Sequence, residues 1–161
     1  MNFKRILVPL DGSPIAESGL RRAIEMCGSD TELLVLRAAE AYSLPGAESS
    51  QAQVLVVREA EEYLAEVAAG LAREGIERVE TSVWYGPAAA AIVEAARLRK
   101  ADLIVMTTHG RSGLGRLIMG SVAESVLRGT TTPILLLRAS EAPVEAPRGE
   151  GAARPTEASH V

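Results

Sequence analysis

Short, nearly unbroken apolar runs alternate along this chain with stretches whose apolar residues recur at helical spacing. The runs are Ile6-Leu7-Val8, Leu33 to Leu36, Val79 to Trp84, Leu103 to Met106 and Ile134 to Leu137. Several lack polar alternation, which suits parallel strands buried on both faces. Between them Leu20, Ala23, Ile24 and Cys27 fall on one helical stripe, and Leu64, Val67, Ala68 and Leu71 on another. Ile92, Ala95 and Ala96, then Ala123, Val126 and Leu127, give shorter stripes. Ser13-Pro14 predicts a helix cap and first helical residue, and Gly86-Pro87 predicts the same. Gly28, Gly75 and Gly129 stand just past helix ends, where a left-handed residue is favoured. The expected order is βαβαβαβαβ. Right-handed crossovers make that an α/β fold: an open, five-stranded parallel sheet with helices on both faces.

Composition narrows the function classes. The 161 residues carry 17 Lys+Arg against 21 Asp+Glu, a formal net charge of -4. A mildly acidic chain lacks the basic face that sequence-independent nucleic-acid binding requires. Aromatic residues are only 3% of the chain, too few for a base-stacking platform. The single cysteine, Cys27, excludes an internal disulfide and a four-cysteine zinc site, and suits a reducing cytoplasmic setting. No apolar run is long enough for a transmembrane helix, and the run after Phe3 is too short for a secretory leader. From Ala139 to Val161 there are three prolines, four glutamates and almost no large apolar side chains. Such a segment buries too little surface to offset its ordering entropy, so residues 139–161 read as a flexible tail on a domain of residues 1–138.

Ligands of open α/β sheets bind beyond the carboxyl ends of the strands, where the strand order reverses. After strand 1 comes Pro9-Leu10-Asp11-Gly12-Ser13, and after strand 4 a long loop from Thr107 to Met119, followed by Gly120-Ser121 opening the last helix. The turn after strand 3, Tyr85-Gly86, offers little chemistry. Strands 1 and 4 are therefore expected to be neighbours, in the Rossmann-like order 3-2-1-4-5. In the strand-4 loop, Gly110, Gly113 and Gly115 let backbone N–H groups converge, and Arg111 and Arg116 add positive charge. Gly120-Ser121 supplies N–H donors and the positive end of a helix dipole. No acidic residue lies between Asp102 and Glu124. Together these features describe a phosphate cradle. It is not a Walker A loop, because the only lysines are Lys4 and Lys100. Nor is it a dinucleotide fingerprint, whose glycines would follow strand 1.

These residues resemble the universal stress protein family over residues 2–138. The likeness opens with Arg5 to Ser13, is strongest from Thr107 through Glu124, and closes with Thr132 to Leu137. The family's ATP-binding branch uses Gly-x2-Gly-x9-Gly-(Ser/Thr); Gly110 and Gly120-Ser121 match it, while Thr107 replaces the first glycine. The resemblance implies that Asp11 binds the adenine or ribose end, with Pro9 and Leu10 lining the pocket and Ala38 meeting the base through its backbone. It implies that Met106, Thr107, His109 and Gly110 follow the ribose and α-phosphate, and that Gly120, Ser121, Val122 and Ala123 bind the outer phosphates. ATP is the implied nucleotide, with ADP, AMP or cyclic AMP as alternatives, and Mg²⁺ or Mn²⁺ held through its phosphates. A homodimer through the last strand, Ile134, Leu135, Leu136 and Leu137, is also implied; an uncovered apolar edge there would invite aggregation.

Blander roles stand beside these. Ser121-x-x-Glu124 is a capping box in its own right. His109 reads as a hydrogen-bonded strut, Cys27 as core, and Glu59, Glu61, Glu62 and Glu66 as a solvated helix face. Only Asp11 offers a carboxylate near the cradle, and neither a Ser/His/Asp arrangement nor a metal-ligand cluster is evident. The expected protein is thus a non-catalytic, or at most weakly ATP-hydrolysing, nucleotide-binding module in stress response. The alternatives are an interaction module with a vestigial pocket and an adenylating enzyme of the same superfamily.

Overall fold

A computed structural model of the chain describes residues 3–40, 49–109 and 120–139. The elements are β1 (Arg5–Pro9), α1 (Pro14–Glu25), β2 (Glu32–Ala39), α2 (Ser49–Arg73), β3 (Val79–Tyr85), α3 (Ala88–Leu98), β4 (Leu103–His109), α4 (Ser121–Gly129) and β5 (Ile134–Ala139). The strands form one parallel sheet in the order β3-β2-β1-β4-β5, as the loop content predicts. The tail from residue 140 onward lies outside the described residues.

Each central strand is apolar on both faces because each face is covered. Ile6, Val8, Val35 and Val105 pack with Leu20 of α1 and Leu64 and Leu71 of α2. Leu7, Leu34, Leu36, Ile104 and Met106 pack with Ile92 and Ala95 of α3 and Val126 of α4. The two sets alternate along the strands with the two-residue period of the pleat. Burying such a side chain contributes about 1.5–3 kcal/mol, so these clusters supply the main stabilisation of the sheet. Leu127, expected on the buried stripe of α4, is instead 53% exposed. Cys27 is half-buried beside the first cluster, where burial pushes its thiol pKa up. Glu59, Glu61, Glu62 and Glu66 are exposed, as expected.

One feature of the sheet prepares the site. Backbone polar groups alternate sides along β1. Leu10 N–H donates to Leu36 C=O on the β2 side, and Arg5 C=O accepts from Asp102 N–H on the β4 side. Odd-numbered residues of β1 therefore face β4. The β1–β4 ladder comprises Ile6↔Leu103 and Leu7↔Ile104. The next N–H it would require belongs to Pro9, which has none to give. From there β1 stays with β2, through Pro9↔Leu36, and a gap opens beside β4.

The helix ends agree in part with the sequence reading. Ser13 caps α1, its hydroxyl accepting from Ala16 N–H at 3.2 Å, and Pro14 is the first helical residue. At α3 the cap is Pro87 itself, with no side-chain hydrogen bond. A left-handed glycine ends α2 at Gly75, φ 83. Gly28 does not take that conformation, and Gly129 lies inside α4. A Cβ on Gly129 would stand 3.1 Å from Val93 Cγ2, so this glycine serves the close packing of α4 on α3. The left-handed residue after α3 is Lys100, φ 53.

Candidate functional site

At the carboxyl ends of β1, β2 and β4, where the ladder fails, lies a cavity of about 280 Å³. Of the residues singled out from sequence, Pro9, Leu10, Asp11, Ala38, Met106, Thr107, Gly120, Ser121, Val122 and Ala123 line it. His109 ends β4, and its side chain is not among those described. Gly110, Arg111 and Gly113, with Gly115 and Arg116, lie outside the described residues. Sequence reasoning missed Ala16, Leu36, Ala88, Ile92 and Thr108, which also line the cavity. The first four are apolar walls with no chemical signature. Thr108 had a usable signal: two adjacent β-branched residues favour strand over loop.

The aspartate is set by a tight turn. Asp11 Oδ1 accepts the N–H of Ser13 at 2.9 Å, and Gly12 takes φ 84. A Cβ at Gly12 would also meet Arg37 Nη1 at 3.2 Å. That guanidinium lies over the Tyr63 ring, 4.7 Å from its centroid, and the Tyr63 hydroxyl donates to Glu17 at 3.1 Å. Burial first, then the bond to Glu17, pushes the Tyr63 pKa up to about 12.

Two strand segments present backbone to the crevice. Ala38 shares Leu36's side of β2, and the ladder with β1 ends at Leu36. The N–H and C=O of Ala38 therefore extend past β1 toward the gap. On β4, Ile104 N–H donates to Pro133 C=O, toward β5, so Thr107 turns its backbone groups to the β1 side. Its side chain points to α1: Thr107 Cγ2 would lie 3.0 Å from a Cβ on Gly19. β4 runs to His109, so Thr107, Thr108 and His109 are strand residues and not the start of the loop.

The opposite wall is the start of α4. Gly120, not Ser121, is the cap, and it makes no side-chain cap bond. The capping-box reading fails because Ser121 is already helical, and Glu124 bonds Arg128 at 2.8 Å. The first helical bond runs from Glu124 N–H to Gly120 C=O. The N–H groups of Ser121, Val122 and Ala123 thus lack helical acceptors and carry the positive end of the dipole. Gly120 N–H is already used: it donates to Thr108 Oγ1 at 3.1 Å.

Fold and site together define an α/β protein with a ligand crevice at the strand-order reversal, one wall acidic and the opposite wall a helix start suited to anions. The chain belongs to the universal stress protein family, whose model matches residues 2–138. It is 34% identical over 141 residues to a universal stress protein of Methanocaldococcus jannaschii, covering 84% of this chain and 82% of that one. Among solved structures it is similar to the universal stress protein UspA from Lactobacillus plantarum, with TM-score 0.70, 21% identity, and 86% and 99% of the two chains covered. It is similar in fold to a universal stress protein in complex with cyclic AMP, with TM-score 0.59, 22% identity, and coverage of 87% and 100%. The same holds for an Arabidopsis thaliana family member with AMP bound, with TM-score 0.56, 16% identity, and coverage of 88% and 97%. Among the described residues no helix is long and apolar enough to cross a membrane.

Proposed function

We propose that the crevice binds an adenine nucleotide, ATP before ADP or AMP, and that the protein acts as a homodimeric, non-catalytic nucleotide-binding module in the stress response of the cytoplasm. The observation that carries this reading is the single cavity joining Asp11 to the start of α4. Its volume lies near the lower end of the roughly 300–1,000 Å³ range of small-molecule pockets. Adenine and ribose belong at the Asp11 end, between Leu10 and the exposed backbone of Ala38. Phosphates belong at the α4 end, where the N–H groups of Ser121, Val122 and Ala123 accept negative charge without loss of a helical bond. Thr107 contributes main chain there, since its side chain is turned to α1. His109 at the end of β4, with Gly110, Arg111 and Gly113 after it, completes the phosphate side in this proposal. Mg²⁺ or Mn²⁺ enters with the nucleotide, held by phosphate oxygens and water. The adenine nucleotides bound by the two solved relatives support the same ligand class.

The dimer is assigned to β5. Among the described residues it pairs with β4 on one side only, and Ile134, Leu135, Leu136 and Leu137 are half-buried. Calorimetric titration with ATP, ADP, AMP and cyclic AMP tests the ligand. Asp11→Ala should weaken ATP by about tenfold, as expected for a lost bond to a charged group, and leave tripolyphosphate little changed. Equal losses for the two, or no heat with any adenine nucleotide, would overturn the reading. ATP should stay intact over hours with Mg²⁺ present.

A further inference from the structure

Among the described residues that line the cavity, Thr108 alone combines deep burial with a side-chain hydroxyl. It is only 8% exposed and lies on the Met106 face of β4, toward α3 and α4. Its oxygen accepts the N–H of Gly120 at 3.1 Å, across 12 positions of sequence. A hydroxyl that accepts still has its own proton to donate. Among the described residues no acceptor takes that proton. The residue borders the same cavity as the N–H groups of Ser121, Val122 and Ala123.

We infer that Thr108 is a phosphate-binding residue, its hydroxyl donating to a non-bridging oxygen of the ligand while Gly120 N–H holds and polarises that hydroxyl from behind. This rests on the nucleotide reading above and sharpens it. Gly120 then serves the ligand through Thr108, and the side-chain donor stands on a rigid strand. Hydroxyl donors to an ionised oxygen make short, charge-assisted bonds, and the neighbouring N–H strengthens the donor in a water-poor site.

The test is calorimetry on the full chain with adenosine, AMP, ATP and inorganic tripolyphosphate. Thr108→Val should lower affinity for AMP, ATP and tripolyphosphate by about tenfold or more, and for adenosine by less than about twofold. Thr108→Ser should restore near-native affinity. If Thr108→Val does not fold, Thr108→Cys, a weak donor of similar size, should show the same phosphate-specific loss. Unchanged phosphate affinity, or an equal loss on adenosine, overturns the assignment and leaves Thr108 a purely structural tether. Native protein that binds tripolyphosphate but no nucleotide sinks the adenine reading alone, and Thr108 is then judged on tripolyphosphate. Native protein that binds neither sinks both.

Discussion

Thr107 Cγ2 occupies the space that a side chain on Gly19 would need: a Cβ there would sit only 3.0 Å away. The two residues interlock α1 with β4. This is the position at which the family pattern carries a glycine. In this chain the missing volume is found on the facing helix, where Gly19 is buried.

That interlock sets opposing effects against each other. Alanine in a helix interior is favoured over glycine by about 1 kcal/mol, but overpacking a close contact costs about 1–3 kcal/mol. Gly19→Ala should therefore destabilise the protein by about 1 kcal/mol. Thr107→Ser removes Cγ2, and in that background Gly19→Ala should become stabilising. Denaturant titration of the four proteins gives the coupling energy; additive effects would disprove the interlock.

Much of the fold was legible because physics leaves few options for a doubly covered parallel sheet. Unbroken runs such as Leu103 to Met106 signal burial on both faces, and the content of two loops was enough to order the strands. The site was legible where chemistry marks it, at Asp11 and at Gly120-Ser121. It was not legible where contacts depend on strand length. Thr-Thr-His reads as polar loop, yet register with Leu137 to Ala139 of β5 holds it in β4 and sends Thr107 and Thr108 to opposite faces. The capping-box spelling at Ser121 misled because the helix begins one residue earlier than that motif requires. Gly129 misled because a small residue serves close helix packing as well as a left-handed turn.

Gly120 offers a separate probe of the α4 wall. Its φ of -59 suits any residue, and an added Cβ would be 3.5 Å from Thr108 Oγ1, an ordinary contact. Gly120→Ala should thus cost no more than about 1 kcal/mol of stability, the scale of a lost cap preference. Gly120→Val places two further methyls toward the cavity and should abolish nucleotide binding while the dimer persists. Calorimetry and light scattering read these two properties; native affinity in Gly120→Val would remove the helix start from the site.

Tyr63 gives the protein an alkaline dependence of known sign. Its pKa rises from 10 in the unfolded chain to about 12 in the fold, through burial and then the bond to Glu17. The folded state therefore holds the phenolic proton more tightly. This contribution is full below pH 10 and is lost as pH rises toward about 12. Tyr63→Phe should flatten the fall in stability across that window, as measured by denaturant midpoints. Glu17→Gln should bring the phenol's ultraviolet titration to lower pH.

Lys100 marks an improvable turn. The helix α3 ends with Ala101 N–H bonded to Ala96 C=O and Lys100 N–H bonded to Arg97 C=O, which forces Lys100 to φ 53. A left-handed non-glycine residue costs about 1–2 kcal/mol, partly offset by the chain entropy a glycine would lose on folding. Lys100→Gly should raise stability by about 0.5–1 kcal/mol, with nucleotide affinity unchanged because the site lies at the other end of β4. A lower melting temperature would contradict this.

The imino acid in the first strand has a consequence for anyone reshaping this candidate site. The opening beside the fourth strand begins where the backbone of Pro9 has no N–H to carry the ladder further. Variant libraries that randomise the walls would inherit an aperture already there in the strand order. A guest molecule would then find its doorway built in, and evolution could exchange one cargo for another without first inventing a place to put it.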